Sequence, residues 1–160
     1  MLAKREHFSV IEHAYATVKF TTDRGVTHEV VRHRLASFSQ ESTRYVNYAG
    51  DLQGSQISVS PMFDNLTDAQ IARREELYAH CERVYMAEID EKIKPQQARD
   101  NLPTCTKTEI IVTANIREWG HIFKQRTSSG AHPRMQQLMR PLLEEFKRMI
   151  PVIYEDLSKY

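Results

Sequence analysis

Hydrophobic positions recur along the chain with two different periods, and their alternation predicts a mixed α and β protein. Between Ala14 and Thr21, Ala14, Ala16, Val18 and Phe20 alternate with Tyr15, Thr17 and Lys19, the pattern of a half-buried strand. His7 to His13 ahead of it reads as a turn or one helical turn, and Met1 to Arg5 as a frayed end. Thr22 or Asp23 can cap a helix with Val26, Val30, Val31 and Leu35 on one side, which brings Arg32 and Arg34 near its end. Gly50, Gly54 and Ser55 mark a turn region, and Ile57 to Ser60 is a short extended piece stopped by Pro61.

The second half is mainly helical in period. Thr67-Asp68-Ala69-Gln70 is a capping-box pattern that opens the longest helix, Asp68 to Lys92. Its core face is expected to hold Ile71, Leu77, Tyr78, Cys81, Val84, Tyr85 and Ile89. Pro95 can start a short helix through Asn101, and Leu102-Pro103 ends it. Glu109 to Thr113 fits a strand or the start of a buried helix, which periodicity cannot separate in so short a run. Asn115 can cap a helix over Ile116 to Arg126 with Ile116, Trp119 and Phe123 inward. Pro133 opens a last helix carrying Met135, Leu138, Met139, Leu142, Leu143, Phe146 and Ile150, which Pro141 should kink or split. No repeat, low-complexity tract or linker interrupts the series. The expectation is one α+β domain over residues 1–160, with a small mixed or antiparallel sheet and several long helices.

Composition narrows the class without choosing a function. A chain of 160 residues, 41% hydrophobic and 27% charged, is ordinary for a globular protein. A net charge of +1 argues against bulk capture of nucleic acid or membrane. No apolar run is long enough to span a bilayer and no signal-peptide core opens the chain, so a cytoplasmic protein is expected. Cys81 and Cys105 make neither a disulfide framework nor a metal spacing, which suits a reducing compartment.

Candidate chemistry is sparse outside one stretch. Cys81 falls on the apolar stripe of the long helix and reads as packing; Cys105 has no histidine near it in sequence. His28 and His33 are five apart and His7 and His13 six, so neither pair has the helical spacing of a zinc site, and no metal is expected. The five glycines form no phosphate-cradling loop. Phosphate would therefore be held by arginines, hydroxyls and helix-end amides. The stretch Arg32-His33-Arg34-Leu35-Ala36-Ser37-Phe38-Ser39-Gln40-Glu41-Ser42-Thr43-Arg44-Tyr45 supplies them, since arginine is a permanently charged fork that matches phosphate and carboxylate oxygens. Further on, Arg99 precedes Leu102-Pro103, and Arg117, His121 and Lys124 share a helix face. Taken singly, each of these also reads as a solvated loop or helix surface.

Arg32-His33-Arg34, seven residues and then Ser42, continued by Arg44-Tyr45, resembles the signature of the flavin-dependent thymidylate synthases, the ThyX family. His7-x-Ser9-x-x-Glu12-His13, Arg99-x-x-Leu102-Pro103, Asn115-x-Arg117 and Arg126 extend the likeness in order along nearly the whole chain. The resemblance implies the ThyX fold and reductive methylation of dUMP to dTMP. Methylenetetrahydrofolate would be the carbon donor, FAD the hydride carrier and NADPH the reductant. It implies FAD contacts at His7, Ser9, Arg32, His33, Arg34, Gln40, Asn115, Ile116, Arg117 and His121. For the nucleotide it implies Glu29, Val30, Val31, Arg32, Gln40, Glu41, Ser42, Thr43, Arg44 and Arg99, with Ser42 and Arg44 on phosphate. Arg126 would polarise the pyrimidine as the catalytic residue. It also implies a homotetramer whose active sites are shared between subunits, with no nucleic-acid or membrane partner.

Two departures qualify the likeness. The family usually carries residues before the His7 block, so the chain is expected to be either a compact branch or one trimmed at its start. Glu29 and His121 stand where other members often have amides, and a glutamate beside a phosphate is unfavourable unless paired. Methylation of UMP or a related pyrimidine nucleotide in nucleoside biosynthesis is the alternative within the family. A nucleic-acid-binding module using Arg32, Arg34 and Arg44 is the alternative outside it, and near-neutral charge speaks against that.

Overall fold

The computed structural model describes residues 7–50 and 56–160; the expected frayed end at Met1 to Arg5 and the turn markers Gly54 and Ser55 lie outside the described residues. The α+β expectation holds. The elements, in order, are a 3-10 segment Phe8–His13, β1 (Tyr15–Asp23), α1 (Arg24–Val30), β2 (Ser37–Gln40), α2 (Asp68–Asp90) and α3 (Pro95–Ala98). A 3-10 turn Arg99–Asn101, β3 (Lys107–Asn115), α4 (Ile116–Arg126), α5 (Pro133–Met149), α6 (Pro151–Tyr154) and a 3-10 turn Leu157–Lys159 follow. The strands form one sheet in the order β1-β3-β2. Thr17 meets Thr113, while Thr21, further along β1, meets Glu109, so β1 and β3 run antiparallel.

β3 settles the helix-or-strand ambiguity. Thr108, Ile110, Val112 and Ala114 are buried while the residues between them are not, a two-residue alternation that only a strand produces. Internal contacts divide the chain into two compact units: Met1–Lys19, Glu29–Phe38 and Ile111–Tyr160 in one, Phe20–His28 and Ser39–Ile110 in the other.

The first unit is built on α4 and α5. The Asn115 side chain accepts from the Glu118 amide at 2.8 Å, satisfying a first-turn donor that the helix itself leaves without a partner. Ile116, Trp119, Ile122 and Phe123 of α4 and Met135, Met139, Leu143 and Phe146 of α5 are all buried. The Phe123 and Phe146 rings meet edge to face at 5.0 Å and Trp119 lies 5.3 Å from Phe146. Such ring pairs each add about 0.5–1.5 kcal/mol beyond the area they bury. The polar ends of these aromatics are satisfied: Trp119 Nε1 donates to the Ala16 carbonyl at 3.0 Å and the Tyr154 hydroxyl to that of Ile116 at 2.8 Å. α5 runs unbroken through Pro141, against the expected split. The carbonyl that Pro141 cannot serve belongs to Gln137, and both residues are exposed, so water can replace the missing bond.

The second unit gathers Tyr48, Ile57, Tyr85 and Ala98 into a core, with Val46, Val59, Met86, Ile89, Ile93 and Leu102 packed against it. The Tyr85 hydroxyl accepts from the Tyr48 amide at 3.2 Å. α2 begins with the full capping box that Thr67 and Gln70 announce. Its expected core face is buried only at Tyr85, and Leu77 is 55% exposed. α1 also departs from expectation. Asp23 does cap it, accepting from the Val26 amide at 2.9 Å, but the helix ends at Val30, before Arg32 and Arg34. Val31 and Leu35 are exposed, at 37% and 77%, and are not on its apolar face. The Arg32 and His33 amides reach back three residues, to Glu29 and Val30, at 3.2 Å each; these short bonds wind the helix off into turns. β2 lies within the arginine-rich stretch after α1, where the hydrophobic pattern announced no strand.

Candidate functional site

The first unit holds a guanidinium clamped on three sides. Arg126, at the end of α4, donates from Nε to His33 Nε2 at 2.9 Å and from Nη1 to Glu29 Oε2 at 2.9 Å. Its Nη2 donates to the Glu29 carbonyl at 3.0 Å. The side chain is only 18% exposed. Three of the five guanidinium N–H groups are used in this frame, and the other two meet no acceptor among the described residues. Glu29, the carboxylate that sequence alone made puzzling beside an anionic ligand, is the partner of this cation.

His33 is buried and its ionisation is displaced. Burial first, then Arg126 and His121, bring its pKa down from 6.5 to about 4. The ring is therefore neutral near pH 7, as an acceptor of the Arg126 Nε–H must be. Its Nδ1 stands 3.6 Å from Glu118 Oε1, and the His121 ring lies edge-on at 6.0 Å between centroids. Glu118 is itself buried, which raises its carboxyl pKa, and His121 partly opposes that rise.

Beside this frame, within the same unit, a cavity of about 710 Å³ is lined by Glu12, Tyr15, Leu35, Asn115, Arg117, Glu118, His121 and Tyr160. Arg117 is held by Glu12 and lies over the Phe8 ring, 5.5 Å from its centroid. His121 pairs with Gln125 at 2.9 Å, whereas Lys124 turns to the Ser158 and Tyr160 carbonyls and does not line the cavity. Gly120 lies against the Tyr160 ring so closely that any Cβ would collide with it. His7 and Ser9 are exposed on and beside the 3-10 segment, and Arg32 and Arg34 are exposed in the turns after α1. The Ile116 side chain is in the core, and its backbone is bonded within the fold, the amide to the Ala14 carbonyl at 2.9 Å and the carbonyl to the Tyr154 hydroxyl. Val30 is buried as well, and Val31 exposed.

The second unit collects the other candidates. Gln40 Nε2 donates to Thr27 Oγ1 at 2.8 Å and Thr108 Oγ1 at 3.5 Å, so its two N–H donors are used inside the fold. The Glu41 amide donates to the Glu109 carbonyl at 3.0 Å, and its own carbonyl accepts from Arg24 at 3.3 Å. Ser42 Oγ accepts from the Arg44 amide at 3.3 Å, shaping a tight turn. The Arg44 side chain donates to Gln96 at 3.2 Å and lies over the Tyr45 ring, exposed to solvent. Arg99 and the buried Thr43 line a cavity of about 140 Å³ with Arg24, His28, Leu102, Pro103 and Thr104.

The candidates thus fall into two groups, Glu29, His33, Asn115, Arg117, His121 and Arg126 in one unit and Gln40 to Arg44 with Arg99 in the other. Sequence reasoning missed Glu118, Tyr15, Leu35 and Tyr160 in the first and Arg24, His28 and Thr104 in the second. An acid in a first helical turn reads as a partner of the helix dipole, and this hides Glu118. Nothing in sequence marks the others.

A family profile described as thymidylate synthase complementing protein matches residues 1–152. The chain is 35% identical over 151 residues to a flavin-dependent thymidylate synthase of Geobacter sulfurreducens, covering 94% of this chain and 64% of that one. It is 34% identical over 173 residues to the Mycobacterium sp. (strain KMS) protein of the same name, covering 96% and 66%. A Mycobacterium bovis (strain BCG / Pasteur 1173P2) relative, again so named, is 33% identical over 167 residues, covering 95% and 65%. The chain therefore spans just under two thirds of the length of these relatives.

Proposed function

Because the chain belongs to the flavin-dependent thymidylate synthase family, we propose that it methylates dUMP reductively to dTMP. Methylenetetrahydrofolate is the carbon donor and NADPH the reductant in this reading, and the protein works in the cytoplasm. The observation that carries it is the Arg126 frame, a cation immobilised by Glu29 and His33 with two N–H groups left over. A fixed cation of this kind stabilises charge that develops on a pyrimidine ring and needs no reorganisation to do so. Ser42, Arg44 and Arg99 hold the nucleotide phosphate, a task that their hydroxyl and guanidinium donors suit.

The larger cavity supports the cofactor assignment. Tyr15, Leu35 and Tyr160 offer ring and apolar surface while Asn115, Arg117 and His121 offer donors, the mixture that a planar ring system with an anionic arm requires. His7, Ser9, Arg32 and Arg34, all exposed, complete the FAD set in this reading, whereas the N–H donors of Gln40 and the backbone of Ile116 are engaged within the fold. Bound FAD supplies the hydride chemistry, so no enzyme nucleophile is called for. The protein binds, orients and polarises. We assign it as a homotetramer, with partner subunits completing each site; the partly exposed apolar face of α2 supports that assignment.

Tritium release from C5-labelled dUMP and UMP, compared with FAD, NADPH and methylenetetrahydrofolate present, tests the function. Release from dUMP is the expected result. Release from UMP alone would move the protein to the second reading, methylation in nucleoside biosynthesis. Silence from both nucleotides would overturn the methylase reading.

A further inference from the structure

We propose that Glu118 is a positioning residue for Arg126, acting through His33, whose imidazole its carboxylate holds in the tautomer that offers Nε2 as an acceptor. The inference rests on the reading of Arg126 as the group that faces the nucleotide. It adds a residue that the motifs did not single out.

The tautomer follows from the donor inventory. Arg126 keeps all its protons at working pH, so its Nε–H can only donate, and His33 Nε2 at 2.9 Å must present a lone pair. A neutral imidazole then carries its one proton on Nδ1. That nitrogen is 3.6 Å from Glu118 Oε1, too long for a good hydrogen bond but close enough for a carboxylate to favour an N–H dipole aimed at it. Side-chain exposures of 3% and 7% leave little water to screen the pair. In the opposite tautomer two donors would meet at Nε2 while the Nδ1 lone pair faced a carboxylate, so both neighbours select the same form. The backbone secures Glu118 in turn, because its amide is tied to Asn115 Oδ1 at 2.8 Å in the first turn of α4. One helix therefore carries Glu118 near its start and Arg126 at its end, with His33 joining them. Among the described residues, the other charged or titratable groups in contact with this frame are Glu29, on Arg126, and His121, edge-on to the His33 ring.

The test reads the His33 ring directly. Full-length protein labelled with ¹⁵N-histidine would be compared near pH 7 as wild type, Glu118→Ala and Glu118→Gln by long-range ¹H–¹⁵N correlation, without nucleotide or flavin. Wild type is expected to show one His33 form, protonated at Nδ1. Glu118→Ala should mix the tautomers and lower kcat about tenfold, the lower end of what losing an outer partner of a working group costs. KM for the nucleotide should stay put, which a merely structural role would not ensure. Glu118→Gln, matched in volume, should shift both readouts the same way by less, and it carries the test if the alanine variant fails to fold. A wild-type ring protonated at Nε2, or wild-type ring signals and kcat in every folded variant, would overturn the proposal. If the ring responds to Glu118 but neither nucleotide is methylated, the function reading fails and the tautomer control stands. Methylation with an unresponsive ring reverses that outcome.

Discussion

Around Arg126 a carboxylate, a carbonyl and a neutral imidazole hold one guanidinium still; around Arg44 an amide and a ring leave another in solvent. The first is fixed before any ligand arrives, so it can act on charge that exists only fleetingly. The second is exposed and held by a single side-chain donor bond, to Gln96, so most of its N–H groups face solvent and suit an anion that arrives from it. One side chain type thus stands in two different settings, and burial with acceptor count separates them.

Removing the clamped cation should produce the largest effect. Arg126→Ala is expected to lower turnover by about 10²–10³, the usual result of deleting one preorganised charge-stabilising donor, while FAD uptake followed by absorbance changes far less. Equal losses of both would dissolve the contrast with Arg44.

The next effect concerns stability. His33 has a folded pKa of about 4 against 6.5, so the unfolded chain binds its proton first as pH falls. Its contribution is complete above pH 6.5 and lost on descending to about 4, roughly 3 kcal/mol in all. Glu118, with a raised pKa, acts with the opposite sign. The His33 share is therefore the difference in urea-melt stability between wild type and His33→Gln across that range. A pH-independent difference would show that the clamp does not require a neutral ring.

Arg44→Ala and Arg99→Ala should each raise nucleotide KM about tenfold with kcat little changed, the loss of one charge-assisted contact. A fall in kcat instead would place them with Arg126. Smallest of all, Thr67→Ala, which opens the capping box of α2, should cost about 1 kcal/mol in thermal or urea unfolding and leave turnover alone.

Local chemistry was legible in advance. The caps at Asp23, Thr67 and Asn115 each involve a side-chain oxygen and an amide three residues on, so a short window contains the whole interaction. α4 followed its apolar stripe because Trp119 and Phe123 are too large to be placed elsewhere. Extrapolation failed where a periodic pattern outran its helix: Val31 and Leu35 continue the spacing of α1, yet the chain turns after Val30. Leu77 similarly looked like core because a pattern shows which side is apolar and not how deeply it is covered.

By itself, then, the sequence determined the caps at Asp23, Thr67 and Asn115, the span of α4 with Trp119 and Phe123 inward and, through its motifs, the family. Tertiary structure decided that Glu29 pairs with Arg126, that His33 is neutral and buried, and that Glu118 stands behind it. The reason is distance along the chain: His33 and Arg126 are 93 residues apart. A proton's position and a cation's freedom depend on groups that only the folded chain brings within a few ångströms.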